Sequence, residues 1–486
     1  MREKLILERE ALEKRVAELT GAAPAADLAA VRKRLEALAG ELAAAEGRIR
    51  KRFPSYWSLI NPEPVSVSEL RGSAVLLHPD EALVQVFQDG QDILVFVVTH
   101  DGSAWAKGGM LGGELNTRVA KLRCDLDPQT CDKSGTDAQG RRVFDRQTAF
   151  KIYQAIFGDP QIAALLATKP KWLIAASGAL TSLPLAVLVT APPEGDDGDP
   201  LDLRDTHWLV RDRTLATLPN VAALRVLRVI APATGHEAAD PFLGFAPVFD
   251  GASGQPSRGA TVARDSFRGA QPMIEKVRHL PVLSSGPEVE AMSRALGAAP
   301  DAVIRGAAAS KAEVLALDAQ GRLGRTRILA FATHGLLSGD FGLPEPALAL
   351  TPPLASPAEH PERDDGLLTA SDIAGLHLAA DWVVLSACNT GAGDSPGAEG
   401  LSGLARAFFY AGARSLLVSH WRVRDDAARY LTTQAITLQS KDGALSRAQA
   451  LRKAELALMD DGSLDGSSEP LSHPAAWAPF VLVGVE

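Results

Sequence analysis

Apolar positions near the start of the chain recur at helical spacing. Leu5, Leu12 and Leu19 stand seven apart, with Val16 between them. GAAP at 21–24 interrupts the pattern, and Asp27 is placed to cap a second helix. From there Leu28, Val31, Leu35, Leu38, Leu42, Ala45 and Ile49 alternate steps of three and four, the seam of a coiled-coil-like helix. Residues 1–52 are therefore expected to form an antiparallel helical hairpin, closed by a solvated basic run, RIRKR, at 48–52. Such a hairpin can pack on its own chain or dock a partner helix.

After FPSYW the period changes. ALVQVFQ, Asp89-Gly90, DILVFVVTH and Asp101-Gly102 read as paired strands with tight turns. Helical spacing returns at about 112–123 and 144–157. KWLIAAS, 171–177, is a buried strand ended by Gly178, and LTSLPLAVLV is expected to open a helix. Residues 190–206 and 251–272, rich in Gly and Pro, are expected loops, with a helix around 218–229 and the strand FLGFAP between them. From 286 onward GPEVEAMSRAL, SKAEVLAL, TASDIAGL and GLARAFFYAGA read as helices. AVIRG, RILAFATHG, DWVVLSA and RSLLVSHW read as strands between them, a long loop follows RILAFATHG, and two helices close the chain. Apolar strands alternating with helices predict an α/β fold, a doubly wound, mostly parallel sheet. The expected units are a helical hairpin over 1–52, an α/β half over 53–232 and a second α/β half over 233–486.

Composition narrows the function. At 486 residues the chain can hold two or three domains. A net charge of −9 lacks the basic face that nucleic acid requires. No apolar run approaches a membrane span, and MREKLILEREALEK has no signal core, so the cytoplasm is the expected compartment. Three cysteines, Cys124, Cys131 and Cys388, supply neither a disulfide framework nor a zinc set. Cys124 and Cys131, flanking DLDPQT, read as incidental thiols in a polar loop.

Two strands end in chemistry. RILAFATHG ends at His334-Gly335 and DWVVLSAC at Cys388. In a parallel sheet reactive groups gather at the carboxyl ends of strands, so both are expected at one edge. A thiol needs a base or cationic partner to become a nucleophile near neutral pH, and an imidazole supplies one. The Gly335 and Cys388 amides could bind a developing oxyanion. His334 precedes Cys388 by 54 residues, close to the spacing of the caspase pair. The competing readings are a packed cysteine and a loop histidine. A dinucleotide loop at GAGDSPGAEG is disfavoured by Asp394, Pro396 and Glu399, which suit no pyrophosphate. Glu399 suits a helix N-terminus instead, and His473, before Pro474, reads as structural.

FATHG, VVLSACNTG, GAEGLSGLARAFFYAGARSLLVSHWRVRDDAA and HPAAWAPFVLVG together resemble the CHAT domain, a bacterial branch of the caspase-like cysteine peptidases related to caspases and separases. FPSYWSLINPEPVSVSEL, SGALTSLPLAVLV and LPVLSSGPEVEAM fit its upstream parts, so the resemblance runs from about Phe53 to the C-terminus. It implies a pseudo-caspase half (53–232) followed by an active caspase-like half (233–486). It implies Cys388 as nucleophile, His334 as general acid/base, and the Gly335 and Cys388 amides as oxyanion hole. The implied reaction is regulated peptide-bond hydrolysis of protein targets through an acyl-thioester, with no cofactor and no metal. Many relatives carry tetratricopeptide repeats upstream, where this chain has the hairpin as a candidate surface for an activating partner. Separases bind a basic side chain with an acid after a W-x-V-x-D string. Here WRVRDD supplies Trp421, Asp425 and Asp426 as pocket candidates, and Arg429 stands near the position of that acid, so the preferred side chain stays open. Asp425 and Asp426 could equally cap the helix that follows, and Trp421 could pack in the core. The alternative function is a catalytically idle scaffold of the same fold, acting through protein–protein contact.

Overall fold

The computed structural model describes residues 8, 9, 12, 25–52, 64–127, 131, 135–137, 140–230, 240–251, 273–283, 285–353, 365–386, 400–421, 423–466 and 469–485. Helix α1 spans Ala25–Arg52, so Asp27 lies inside it and is not its cap. Leu38 and Leu42 of the seam are buried. Glu8, Arg9 and Leu12 are helical, and the Arg34 guanidinium donates to the Glu8 carboxylate at 2.8 Å. Leu5, Val16, Leu19 and GAAP lie outside the described residues, as does all of the expected loop at 251–272 except Gly251.

One sheet of eleven strands runs through the rest of the chain, in the order β3-β2-β1-β4-β5-β14-β13-β12-β8-β6-β7. The first half supplies β1 (Glu81–Asp89), β2 (Asp92–Val98), β3 (Ser103–Lys107), β4 (Lys171–Ala176) and β5 (Thr214–Thr217). Helices α2 (Gly112–Leu126) and α3 (Arg146–Phe157) lie between β3 and β4 in sequence. Alternate β2 residues Ile93, Val95 and Val97 are buried, which is the period-two pattern of a strand with one covered face. Gly178 turns with φ of 67° after β4. The expected helix after it is two short 3-10 turns, Gly178–Ser182 and Leu185–Val187, because Pro184 interrupts the segment. Similarly, 218–229 holds only Ala223–Arg225 and a π-helical turn, Val226–Ile230. The loop at 190–206 contains a helix, Pro200–Asp205, capped by Asp199.

The second half supplies β6 (Asp240–Ala246), β7 (Val303–Arg305), β8 (Thr326–Phe331), β12 (Trp382–Leu385) and β13 (Ser415–Ser419), all mutually parallel where they pair. All residues of β12 and β13 are buried, as continuous apolar runs in a parallel sheet must be. Helices α4 (Gly286–Ala295) and α6 (Asp425–Lys441) pack together on one face. Helix α5 (Gly400–Ala411) connects β12 to β13, and its Phe408 ring packs 6.0 Å from that of Phe331 on β8. Helix α7 (Arg447–Met459) packs antiparallel to α6, its first turn closed by a Ser446–Gln449 capping box. The expected long loop after RILAFATHG contains a separate small sheet: β9 (Gly335–Leu336), β10 (Ala347–Ala349) and β11 (Leu367–Thr369).

The last strand, β14 (Phe480–Gly484), joins the halves. It runs antiparallel to β13 over five residue pairs and parallel to β5 at one pair, Val483–Thr217. The parallel strands of the first half therefore run opposite to those of the second. Their carboxyl ends open on opposite edges of the shared sheet.

Candidate active site

Strands β8 and β12 are adjacent and parallel, with Phe331 level with Leu385. The Ser386 amide adds one more bond, to the Phe331 carbonyl at 3.1 Å. His334 follows β8 by three residues, so it leaves the sheet at the edge where β12 ends. Ser386 is the last described residue before residues 387–399, and Cys388 lies outside the described residues, as does Glu399.

The imidazole of His334 is closely held. It is 4% exposed, its Nε2 lies 2.8 Å from the Pro281 carbonyl, and its ring packs 5.1 Å from that of Phe249. A carbonyl only accepts, so Nε2 carries the proton and Nδ1 keeps the lone pair. Burial disfavours the imidazolium and pushes the pKa down to about 4, more than the Pro281 bond raises it. The ring is thus a neutral base at neutral pH. Its backbone is fixed too: Ala349 N donates to His334 O at 2.9 Å, and the Thr333 hydroxyl donates to the Ala349 carbonyl. The small sheet β9–β11 braces the histidine, and Gly335 is its first strand residue.

Beneath the end of β12 lies Glu288, 1% exposed on α4. Its carboxylate accepts from the Ser386 hydroxyl at 3.1 Å and from Thr432 at 3.2 Å. It ties the residue two before Cys388 to helices α4 and α6. Neither Pro281, Phe249 nor Glu288 was singled out from the sequence. A backbone carbonyl leaves no residue-type signal. Glu288 sits in the first turn of a helix, where an acid usually serves the dipole.

Trp421 is not a pocket wall: it is fully buried, donates from Nε1 to the Ala475 carbonyl at 2.9 Å, and has the Arg123 guanidinium 5.3 Å over its ring. Asp425 and Asp426 are exposed in the first turn of α6, one and two residues past the actual cap position, Arg424. Asp426 pairs with Arg424 at 2.6 Å. Arg429 is exposed one turn on. His473 is structural, its Nδ1 capping the Ala475 amide at 3.1 Å. Cys124 and Cys131 are not free thiols; they form a disulfide. Their Cα atoms stand 5.7 Å apart at the end of α2, a closeness that spacing alone does not reveal.

No helix among the described residues is long and apolar enough to cross a membrane. Mouse tetratricopeptide repeat protein 28 is 36% identical over 118 residues, 24% of this chain and 4% of that protein. Its human counterpart is 35% identical over 124 residues, 26% of this chain and 5% of that protein. The matched region is thus a small fraction of those relatives' length. Among solved structures, the Saccharomyces cerevisiae separase–securin complex aligns with a TM-score of 0.44 at 9% identity, over 86% of this chain and 30% of that one. The Arg-specific cysteine proteinase gingipain R aligns at 0.35 and 9% identity, over 76% of this chain and 74% of that one. The model of the CHAT domain matches residues 146–485, well over half of the chain, and the protein belongs to the CHAT domain family.

Proposed function

We propose that the protein is a caspase-like cysteine endopeptidase. Cys388 is the nucleophile, and His334 takes its proton through Nδ1 and returns it to the leaving amine. The carbonyl carbon passes through a tetrahedral adduct whose oxyanion is held by the Gly335 and Cys388 amides. Collapse to an acyl-thioester releases the amine product, and water then releases the acid. The observation that carries this reading is the buried, singly oriented imidazole of His334 at the edge where β12 ends. Asp425 and Arg429, exposed at the start of α6, are candidates to meet the substrate. The targets are specific cytoplasmic proteins, and α1 with its preceding helix receives an activating partner.

Because Cys124 and Cys131 are paired, iodoacetamide without reductant should label Cys388 alone. Labelling faster than that of a free thiol, slowed at least about tenfold in His334→Ala, supports an activated nucleophile. A rate equal to that of a free thiol and indifferent to His334→Ala would favour the idle scaffold.

A further inference from the structure

A cavity of about 640 Å³ lies along the seam where β5 meets β14, within the range of small-molecule sites. The seam is loose because the two strands share a single residue pair. Leu215, Leu451 and Phe480 contribute to its apolar wall. The polar groups on that wall lack donors. Gln88 Oε1 and Asn116 Oδ1 are buried without a hydrogen-bond partner. Glu455, on α7, is 4% exposed and has no hydrogen-bond partner among the described residues. Burial raises its carboxyl to about 8 against the opposing charge of Arg452, so the carboxyl holds that proton near neutral pH and gives it up to solvent when an ammonium ion pairs with the carboxylate. His420 is also 4% exposed, its ring lies by the Ser182 backbone, and its Nδ1 is without a partner at normal geometry. Burial keeps it neutral, and a neutral imidazole has one nitrogen that only accepts.

The cations on the same wall are already engaged. Arg452 donates from Nε to the Val210 carbonyl at 2.6 Å and from Nη2 to the Arg211 carbonyl. Arg406, the other arginine at the cavity, also has an interaction partner. Outside, Phe96 and Trp105 stack at 6.2 Å, and their strand register puts them on the sheet face of Gln85, a cavity residue. Exposed aromatic faces attract cations. From the loose seam, its surplus of acceptors and this aromatic approach, we infer that the cavity binds a small organic ammonium ion with an apolar body, its nitrogen directed to Glu455. Neither His334 nor Gly335 lines the cavity, and its existence does not depend on the peptidase reading.

The test is titration calorimetry of the full chain with phenethylammonium, phenethyl alcohol and hydrocinnamate. The expected order of affinity is amine, then alcohol, then carboxylate, with saturation at one site. Glu455→Gln should weaken the amine at least about tenfold, the scale of a lost charged hydrogen bond, and leave the alcohol within about threefold. Asn116→Leu, at a half-buried position, should weaken the amine more mildly, and unchanged thermal midpoints would show that both variants fold. Absence of saturable binding, tighter binding of hydrocinnamate, or an amine affinity indifferent to Glu455→Gln would each overturn the inference.

Discussion

In the first half of the sheet β1, β4 and β5 end at Asp89, Ala176 and Thr217; in the second, β8 and β12 end just before His334 and Ser386. The architecture is shared, parallel apolar strands with helical cover, yet the strand ends differ in what surrounds them. Past β8 a second small sheet, a backbone carbonyl and a phenyl ring converge on one imidazole. Past β4 the chain turns at Gly178 and enters short 3-10 turns, Gly178–Ser182 and Leu185–Val187, that carry no titratable side chain of their own. The lesson is that a doubly wound sheet supplies only an edge. Chemistry requires additional elements that dehydrate and orient a group there.

The largest effect expected from this difference is on turnover. His334→Ala should cut kcat by roughly 10²–10⁴, the usual weight of a general acid/base. Asp89→Asn, at the end of the first-half strand β1, should leave it within about twofold. Equal losses in a cleavage assay would erase the distinction between the halves.

Next in size is stability in the first half. Glu81 and Arg228 form a buried pair at 2.6 Å. Burial pushes the Glu81 carboxyl up, but the hydrogen bonds and charge of Arg228 outweigh it and hold it below its ordinary value. Arg228→Ala should cost about 3–5 kcal/mol by stranding that charge, measured by urea unfolding. Glu81 binds its proton more weakly folded than unfolded, so its contribution is present above 4.5 and is lost as pH falls below that value.

In the second half the acid lability should begin higher. His334, His420 and His473 are pushed down by burial to about 4, 3 and 3. The unfolded chain takes up these protons near pH 6.5 and the folded chain does not, so stability falls as pH drops below 6.5, by up to roughly 1.4 kcal/mol per histidine per unit. Hydrogen exchange across pH 7 to 4 should show the β12–β14 region loosening before β1–β4. The reverse order would contradict the assignment. For catalysis the same burial predicts an acid limb of kcat/KM near 4, moving up toward 6.5 in Phe249→Ala, which opens the ring to water.

The smallest effect is expected at the disulfide. Cys131→Ser removes a link closing a seven-residue separation and should cost at most about 2.5 kcal/mol, with the catalytic edge unaffected.

DWVVLSA and RSLLVSHW are legible in the second half because their apolar runs are fully buried, the signal of a parallel sheet; β9–β11, two or three residues each, lie within the expected loop, and β14 ends the chain where two helices are expected. The segment after Gly178 misled because apolar LTSLPLAVLV packs as tight turns; its periodicity resembles a helix, and only Pro184 argues otherwise. The central position of β14 was invisible, since strand order depends on pairing across hundreds of residues. Of the candidate site, His334 could be picked out because a histidine at a strand end is a side-chain signal. The Pro281 carbonyl, the Phe249 ring and the Glu288–Ser386 tie arise from tertiary contact. Trp421 is the ambiguous case: an aromatic at a strand end suits a pocket wall or the core alike, and only the fold shows it packed under Arg123.

The most direct measurement is a comparison of newly exposed protein N-termini in cells expressing the wild-type chain, Cys388→Ala or His334→Ala, with products of neighbouring genes co-expressed to supply an activator. The account predicts a small set of termini present with the wild type and absent with both variants. Identical sets of termini in all three would contradict the claim that the second half of the sheet is a peptidase.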